Sequence, residues 1–252
     1  MTPFLNNPSL LYTIIKMKAL DAITDKLFTL ISHDLRVPMG EVMGSLELLS
    51  PHSNELSPED KELLLGEMKN STRQSLALIE NLTAWSRYQV TGLEIQKIPL
   101  VVQDVVISAV SKLTYLWKSK EQLVDIQISD CLVLPMEPML IATVLRNILS
   151  NAMKYSSRKG LITIQAGWSD DSRWILIEDH GLGMPPGDAT DLVRLRVCPP
   201  RPGTEGEQGS GFGLWLCDEL MKKLGGKLEI TSIPGQGTAV LLRFPEEDVE
   251  DL

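Results

Sequence analysis

His33 stands in the run Ser32-His33-Asp34-Leu35-Arg36-Val37-Pro38. An imidazole is a nucleophile at neutral pH, and a neighbouring carboxylate such as Asp34 can accept one ring N–H and activate the other nitrogen. A second set lies more than a hundred positions on. Asn147, Asn151 and Lys154 are spaced i, i+4 and i+7, which puts them on one face if the segment is helical. Two amide oxygens and an ammonium on one face suit a Mg²⁺–phosphate ligand. A third set is Asp179-His180-Gly181-Leu182-Gly183, where a strand runs into an acid and two glycines. Asp179 could accept a hydrogen bond from an exocyclic amine such as that of adenine. The fourth is Gly209, Gly211 and Gly213 before an amphipathic stretch. Glycines at a helix N-terminus offer N–H groups and a favourable dipole to a phosphate. Each set has a plainer reading alone: a surface histidine on a proline-kinked helix, a polar helix face, a strand-ending turn, a flexible loop. In this order, they pair a phosphoryl acceptor with a nucleotide cradle.

The elements that must carry these residues follow from hydrophobic period. Phe28, Ile31, Leu35, Val42 and Leu49 fall on a three-four stripe, with Pro38 and Ser45 in its other positions. Leu64, Met68, Ser71, Ser75, Leu78, Leu82 and Trp85 form a second. Both have the spacing of bundle seams. Between them, Ser57-Pro58-Glu59-Asp60 reads as an N-cap serine, a proline at the first helical position and acids in the first turn. The expectation is an antiparallel helical hairpin, completed as a four-helix bundle by a second copy. A helix turns about 100° per residue, so His33 sits roughly 160° from both Ile31 and Leu35, off the apolar stripe. Leu10, Ile14 and Met17 begin a helical pattern upstream.

After Tyr88 the texture changes. Short alternating segments at Leu161–Ala166, Trp174–Ile177, Lys227–Ile230 and Ala239–Arg243 read as strands. Helical patterns lie near Val101–Lys120, Pro138–Ser156 and Gly211–Leu224, and Gly235-Gln236-Gly237 reads as a hairpin turn. The class is α+β: a helical hairpin, then an α/β sandwich with a mixed sheet and helices on one face. The boundary falls near 89–95. Pro185–Gly209, with five prolines, is a long irregular segment of the kind that is functional or mobile.

The chain has 252 residues, 43% of them hydrophobic, and a net charge of −9. That balance argues against nucleic acid as a partner. Three cysteines (Cys131, Cys198 and Cys217), none at C-x-x-C spacing, fit a reducing, intracellular compartment. No run of eighteen apolar residues occurs, so no membrane contact is expected within this sequence. Cytoplasmic placement follows, with room for an upstream sensor or membrane anchor.

Taken together, the four sets resemble the catalytic core of a sensor histidine kinase of a two-component system, over about residues 20–245. Ser32–Pro38 is similar to that family's H-box, residues 145–155 to its N-box, Asp179–Gly183 to its first glycine box, and Gly209–Gly213 to its second. The resemblance implies a linker or helix extension at 1–19 and a dimerisation and phosphotransfer hairpin at 20–90. A Bergerat-type ATP-binding domain at 95–246 and an acidic tail at 247–252 would follow. It implies that His33 takes the γ-phosphoryl group of ATP with Asp34 as base. Asn151 would bind Mg²⁺ with Asn147 nearby, and Lys154 and Tyr155 would face the phosphates. Asp179 would recognise adenine between Gly181 and Gly183, and Gly209, Gly211 and Gly213 would close over the phosphates. The partners implied are a second copy of the chain and the receiver domain of a response regulator, whose aspartate takes the phosphoryl group. A degenerate kinase that binds nucleotide and regulator without catalysis is the alternative. ATP-hydrolysing relatives place a glutamate four residues before the Mg²⁺-binding asparagine. Asn147 stands there instead, which favours transfer over hydrolysis.

Two positions depart from the family pattern. Val37 stands where a Thr or Asn tied to dephosphorylating the regulator is common. The segment Asp191–Val197 lacks the paired phenylalanines of the family's lid, and Arg194 and Arg196 there read as surface charge or as phosphate contacts. Cys198 reads as a plain free thiol, with a redox switch as the alternative, His52 and His180 as histidines without a partner set for metal binding, and Trp85 and Trp215 as packing.

Overall fold

The computed structural model describes residues 35–50, 56–90, 95–169, 172–193, 201–207 and 211–245. The chain divides into two compact units after Leu82.

In the first unit, α1 covers 35–48 and α2 begins at Pro58 and runs to Val90. Pro38, Ser45, Ser71, Ser75 and Leu78 are buried, while Leu35, Val42, Leu64 and Met68 are half-buried. These are stripe positions on both helices, as the period predicts. The Ser71 hydroxyl donates to Glu41 Oε2 (2.6 Å), joining the helices across the seam. The α2 N-terminus is capped as its sequence predicts. Ser57 Oγ accepts from the Asp60 N–H (3.1 Å), and Asp60 Oδ2 accepts from the Ser57 hydroxyl (2.8 Å). Ser57→Ala is expected to cost about 1 kcal/mol of stability in urea unfolding; an unchanged midpoint would show the cap to be idle.

The second unit is built on a five-stranded mixed sheet of order β2-β4-β5-β7-β6. Its strands are β2 (Leu123–Gln127), β4 (Leu161–Ser169), β5 (Ser172–Asp179), β6 (Lys227–Ile233) and β7 (Gly237–Pro245). β2 runs parallel to β4, and the other neighbours pair antiparallel. A separate antiparallel pair joins β1 (Ile98–Val101) to β3 (Val133–Met136), with Pro99 opposite Pro135. Such prolines are tolerated in a two-stranded ribbon because each strand has a free edge. Ile162, Ile164, Ile175, Ile177, Val240, Leu242 and Phe244 are buried, whereas alternate residues such as Thr163, Leu176 and Leu241 stay half-exposed. One face therefore carries the core, against α5 (Pro138–Tyr155) and α7 (Gly213–Lys223), with α3 (Val102–Lys112) packed on α5.

The helix expected over Val101–Lys120 is two helices. The α3 helix ends at Lys112, and α4 (Thr114–Ser119) starts after Leu113, which is 4% exposed. Turning Leu113 inward costs one α-helical link, replaced by tighter bonds from Leu113 N–H to Val110 O (3.1 Å) and Leu116 N–H to Leu113 O (2.9 Å). The strands β1, β2 and β3 have no counterpart in the sequence reading. They are four or five residues long, and two carry proline.

Candidate functional site

The α5 helix is the base of the site. Pro138 occupies its first turn, and Glu137 caps it by accepting from the Leu140 N–H (2.6 Å). Leu140, Ile141, Val144, Leu145, Ile148, Leu149, Ala152 and Met153 are buried. Arg146, Asn147, Ser150, Asn151 and Lys154 are half-exposed along the opposite stripe. Asn147, Asn151 and Lys154 therefore share one face, as their spacing predicts. Asn147 Nδ2 donates to the Thr143 carbonyl (2.8 Å), which holds the amide against its own helix.

The second glycine set meets this face. A Cβ on Gly213 would lie 3.2 Å from Asn147 Oδ1, so the start of α7 is pressed against the asparagine. Gly211 has φ of +66°, a left-handed conformation that favours glycine. Behind them, the Cys217 thiol reaches the Val144 carbonyl (3.6 Å), tying α7 to α5; burial pushes this thiol above its ordinary value. Phe212 and Trp215 are buried and pack at 5.1 Å between ring centroids, and Trp85 lies 6.4 Å from Trp215. Both tryptophans are packing residues.

The first glycine set closes the other end. Asp179 ends β5 and is 8% exposed. Its carboxylate accepts from the Gly181 N–H (2.9 Å). Burial pushes the carboxyl up to about 6, although the Gly181 and Thr238 N–H groups and His180 oppose the rise. Backbone fills the space beside both glycines here. A Cβ on Gly181 would collide with the Tyr155 carbonyl, and one on Gly183, at φ +61°, with the Ile233 carbonyl. The Leu182 N–H bonds to Tyr155 O (3.0 Å) and the Gly235 N–H to Leu182 O (2.8 Å). The turn after β5 is thus held between the end of α5 and the β6–β7 hairpin.

Lys154 lies beside acid and base alike. Burial lowers its ammonium from the ordinary lysine value, Glu207 opposes that, and Lys120 adds to it. The Tyr155 hydroxyl donates to Arg201 O (3.2 Å), and Arg201 pairs with Asp188 (2.8 Å) in α6 (Asp188–Val193). Burial raises the Tyr155 phenol. Sequence spacing had no means of finding Lys120 and Thr204, which are 34 and 50 positions from the Lys154 carbonyl they touch, or Glu207, which pairs with Lys120. His33, Asp34, Gly209, Arg194, Arg196, Cys198 and His52 lie outside the described residues. Among those described, no group of three His, Cys, Asp or Glu could hold a metal, and no helix is long and apolar enough to cross a membrane.

Comparison with known proteins agrees with this geometry. Residues 24–89 match the His Kinase A (phospho-acceptor) domain, and residues 136–248 match the histidine kinase-, DNA gyrase B- and HSP90-like ATPase family. The sensor protein GacS of Pseudomonas syringae pv. syringae is 26% identical over 249 residues, 94% of this chain and 27% of GacS. The sensor histidine kinase RcsC of Salmonella typhimurium is 30% identical over 226 residues, 85% of this chain and 22% of RcsC. The chain spans about a quarter of the length of these curated relatives. Among solved structures, the histidine kinase AdeS of Acinetobacter baumannii superposes with a TM-score of 0.63 at 17% identity, covering 86% of this chain and 98% of AdeS. With a phosphoacceptor domain and an ATPase domain matched in that order, the chain belongs to the family of two-component sensor histidine kinases.

Proposed function

We propose that this chain is an ATP-dependent kinase that phosphorylates its own His33 and passes the phosphoryl group to an aspartate of a response regulator. The observation that carries this reading is the single polar face of α5. It collects Asn147, Asn151 and Lys154, meets Gly213 at one end and has the buried carboxylate of Asp179 beyond its other. In this reading Asp179 accepts from the adenine amine, Lys154 and Tyr155 face the phosphates, and Gly209, Gly211 and Gly213 line the phosphate side. The set fits Mg²⁺: Asn151 offers one amide oxygen, and this cation binds through few protein oxygens plus phosphate and water. Bound there, Mg²⁺ would neutralise phosphate charge.

At His33, one ring nitrogen attacks the γ-phosphorus. A P–N bond forms, the bond to the ADP oxygen breaks, and the proton on the other nitrogen is held by Asp34. The regulator's aspartate then takes the phosphoryl group from the imidazole. A homodimer through the hairpin is supported by apolar residues that the first unit leaves exposed, among them Met43, Leu48, Leu63, Leu65 and Leu76. Incubation with ATP labelled at its γ-phosphate, in magnesium, tests the reading. Label on the protein supports it. Nucleotide binding without label would favour the second reading, a degenerate kinase, for which the absence of aromatic residues from 191–197 speaks.

Val37, four residues after His33 in the sequence, is 41% exposed, and its side chain offers no polar atom to orient a water. The chain is therefore expected to dephosphorylate its regulator weakly, and Val37→Thr to speed release. Rapid phosphate release from a phosphorylated regulator by the native chain would contradict this.

A further inference from the structure

The last carbonyls of α5 have no helical donors of their own. Two buried side chains that follow α4 collect them. Gln122 Nε2 donates to Met153 O (2.9 Å) and Ser156 O (3.2 Å). The Lys120 ammonium donates to Lys154 O (2.8 Å) and Met153 O (3.1 Å), and the residue is only 2% exposed. A cation is favourable at a helix C-terminus.

Lys120 does more than cap. It also donates to Thr204 Oγ1 (2.7 Å) and pairs with Glu207 Oε1 (2.5 Å). Thr204 donates its hydroxyl to Ser156 O (2.7 Å) and its N–H to Lys154 O (3.0 Å). A Cβ on Gly203 would collide with Glu207 and crowd the Lys154 carbonyl. The limb 201–207, which leads toward the second glycine set, is thereby seated on the final turn of α5. Burial works against the Glu207 carboxylate, but Lys120 and backbone N–H groups outweigh it and hold the carboxyl below its ordinary value. A buried ion pair adds little net stability, because desolvation offsets the attraction. Its effect here falls on the neighbour they share, since both charges act on Lys154.

We propose that Lys120 is a positioning residue of the nucleotide site. It keeps the Glu207 carboxylate and its limb on the end of α5, so that Glu207 does not take the Lys154 ammonium from the triphosphate. The proposal rests on the reading of Lys154 as a phosphate ligand.

Lys120→Gln keeps donors for the helix carbonyls but releases Glu207. Titration of the full 252-residue chain with ATP and with adenosine, in magnesium, reads the effect. The variant is expected to bind ATP about tenfold more weakly, the loss of one charge-assisted contact, with adenosine unchanged. Adding Glu207→Gln should restore most of the ATP affinity. Native-like ATP binding by Lys120→Gln would overturn the proposal. An equal loss for adenosine and ATP, unrelieved in the double variant, would overturn it too, by making Lys120 a structural cap. A native chain that binds adenosine but gains nothing from the phosphates would sink the reading of Lys154 itself, and the proposal with it. If Lys120→Gln does not fold, Thr204→Val carries the same expectation on a smaller scale: about threefold for ATP and none for adenosine. Equal values for the native chain and that variant would count against the proposal.

Discussion

His33→Gln is expected to leave the chain unlabelled by ATP, a loss of at least about a thousandfold, because glutamine offers no nucleophile to receive the phosphoryl group. The label on the native chain should be acid-labile and base-stable, as a phosphoramidate is. ATP affinity should not change, since the proposed nucleotide contacts lie on α5, β5 and α7. Asp34→Asn should keep the histidine but slow labelling by about a hundredfold to ten-thousandfold, the range for removing a positioned base. Label retained in His33→Gln, or lost together with ATP binding, would defeat the assignment of this residue as phosphoacceptor.

Asp179→Asn is expected to weaken ATP binding about a hundredfold or more, through loss of a charged acceptor and its replacement by a donor facing the adenine amine. The same change should leave the melting temperature equal or higher at neutral pH. Both effects come from one burial. The folded carboxyl sits at about 6, above its ordinary 3.8, so the fold prefers the protonated form. The stability this group contributes is present below the ordinary value and is lost as pH rises through about 6. Above that, the buried charge costs about 3 kcal/mol at most, which asparagine avoids. Adenine needs the charged form. Native ATP affinity should therefore be full above about 6 and fall as pH drops through it, while the variant shows no such step. Calorimetric titrations across that range, with thermal melts, check both limbs. A variant that binds ATP normally but melts lower would reverse the account.

Much of the scaffold was legible because period-based signals are local. The stripes on α1 and α2 placed Pro38, Ser45, Ser71, Ser75 and Leu78 inward, and these are buried. Ser57-Pro58-Glu59-Asp60 announced the start of α2 through chemistry confined to four residues. The four longer strands of the sheet were marked by alternation. By contrast, β1, β2 and β3 are too short to show a period, and the break at Leu113 depends on what the helix packs against.

The site divides along the same line. Asn147, Asn151 and Lys154 could be placed together from spacing, because one helix alone sets that geometry. The surroundings of Gly181 and Gly183 could not, since a Cβ at either would meet the Tyr155 or Ile233 carbonyl, from segments distant in the chain. The raised carboxyl of Asp179 and the ammonium of Lys120 were equally beyond reach, since burial and partners come from segments distant in the chain. By itself, then, the sequence determined the four longer strands, the helices α2, α5 and α7, the polar face of α5 and the order of the four residue sets, all fixed by contacts within a few residues. Tertiary structure alone decided which backbone fills the glycine turns, how far Asp179 leaves water, and that a lysine after α4 meets Glu207 at the end of α5. Those depend on packing between remote segments, which no local period encodes.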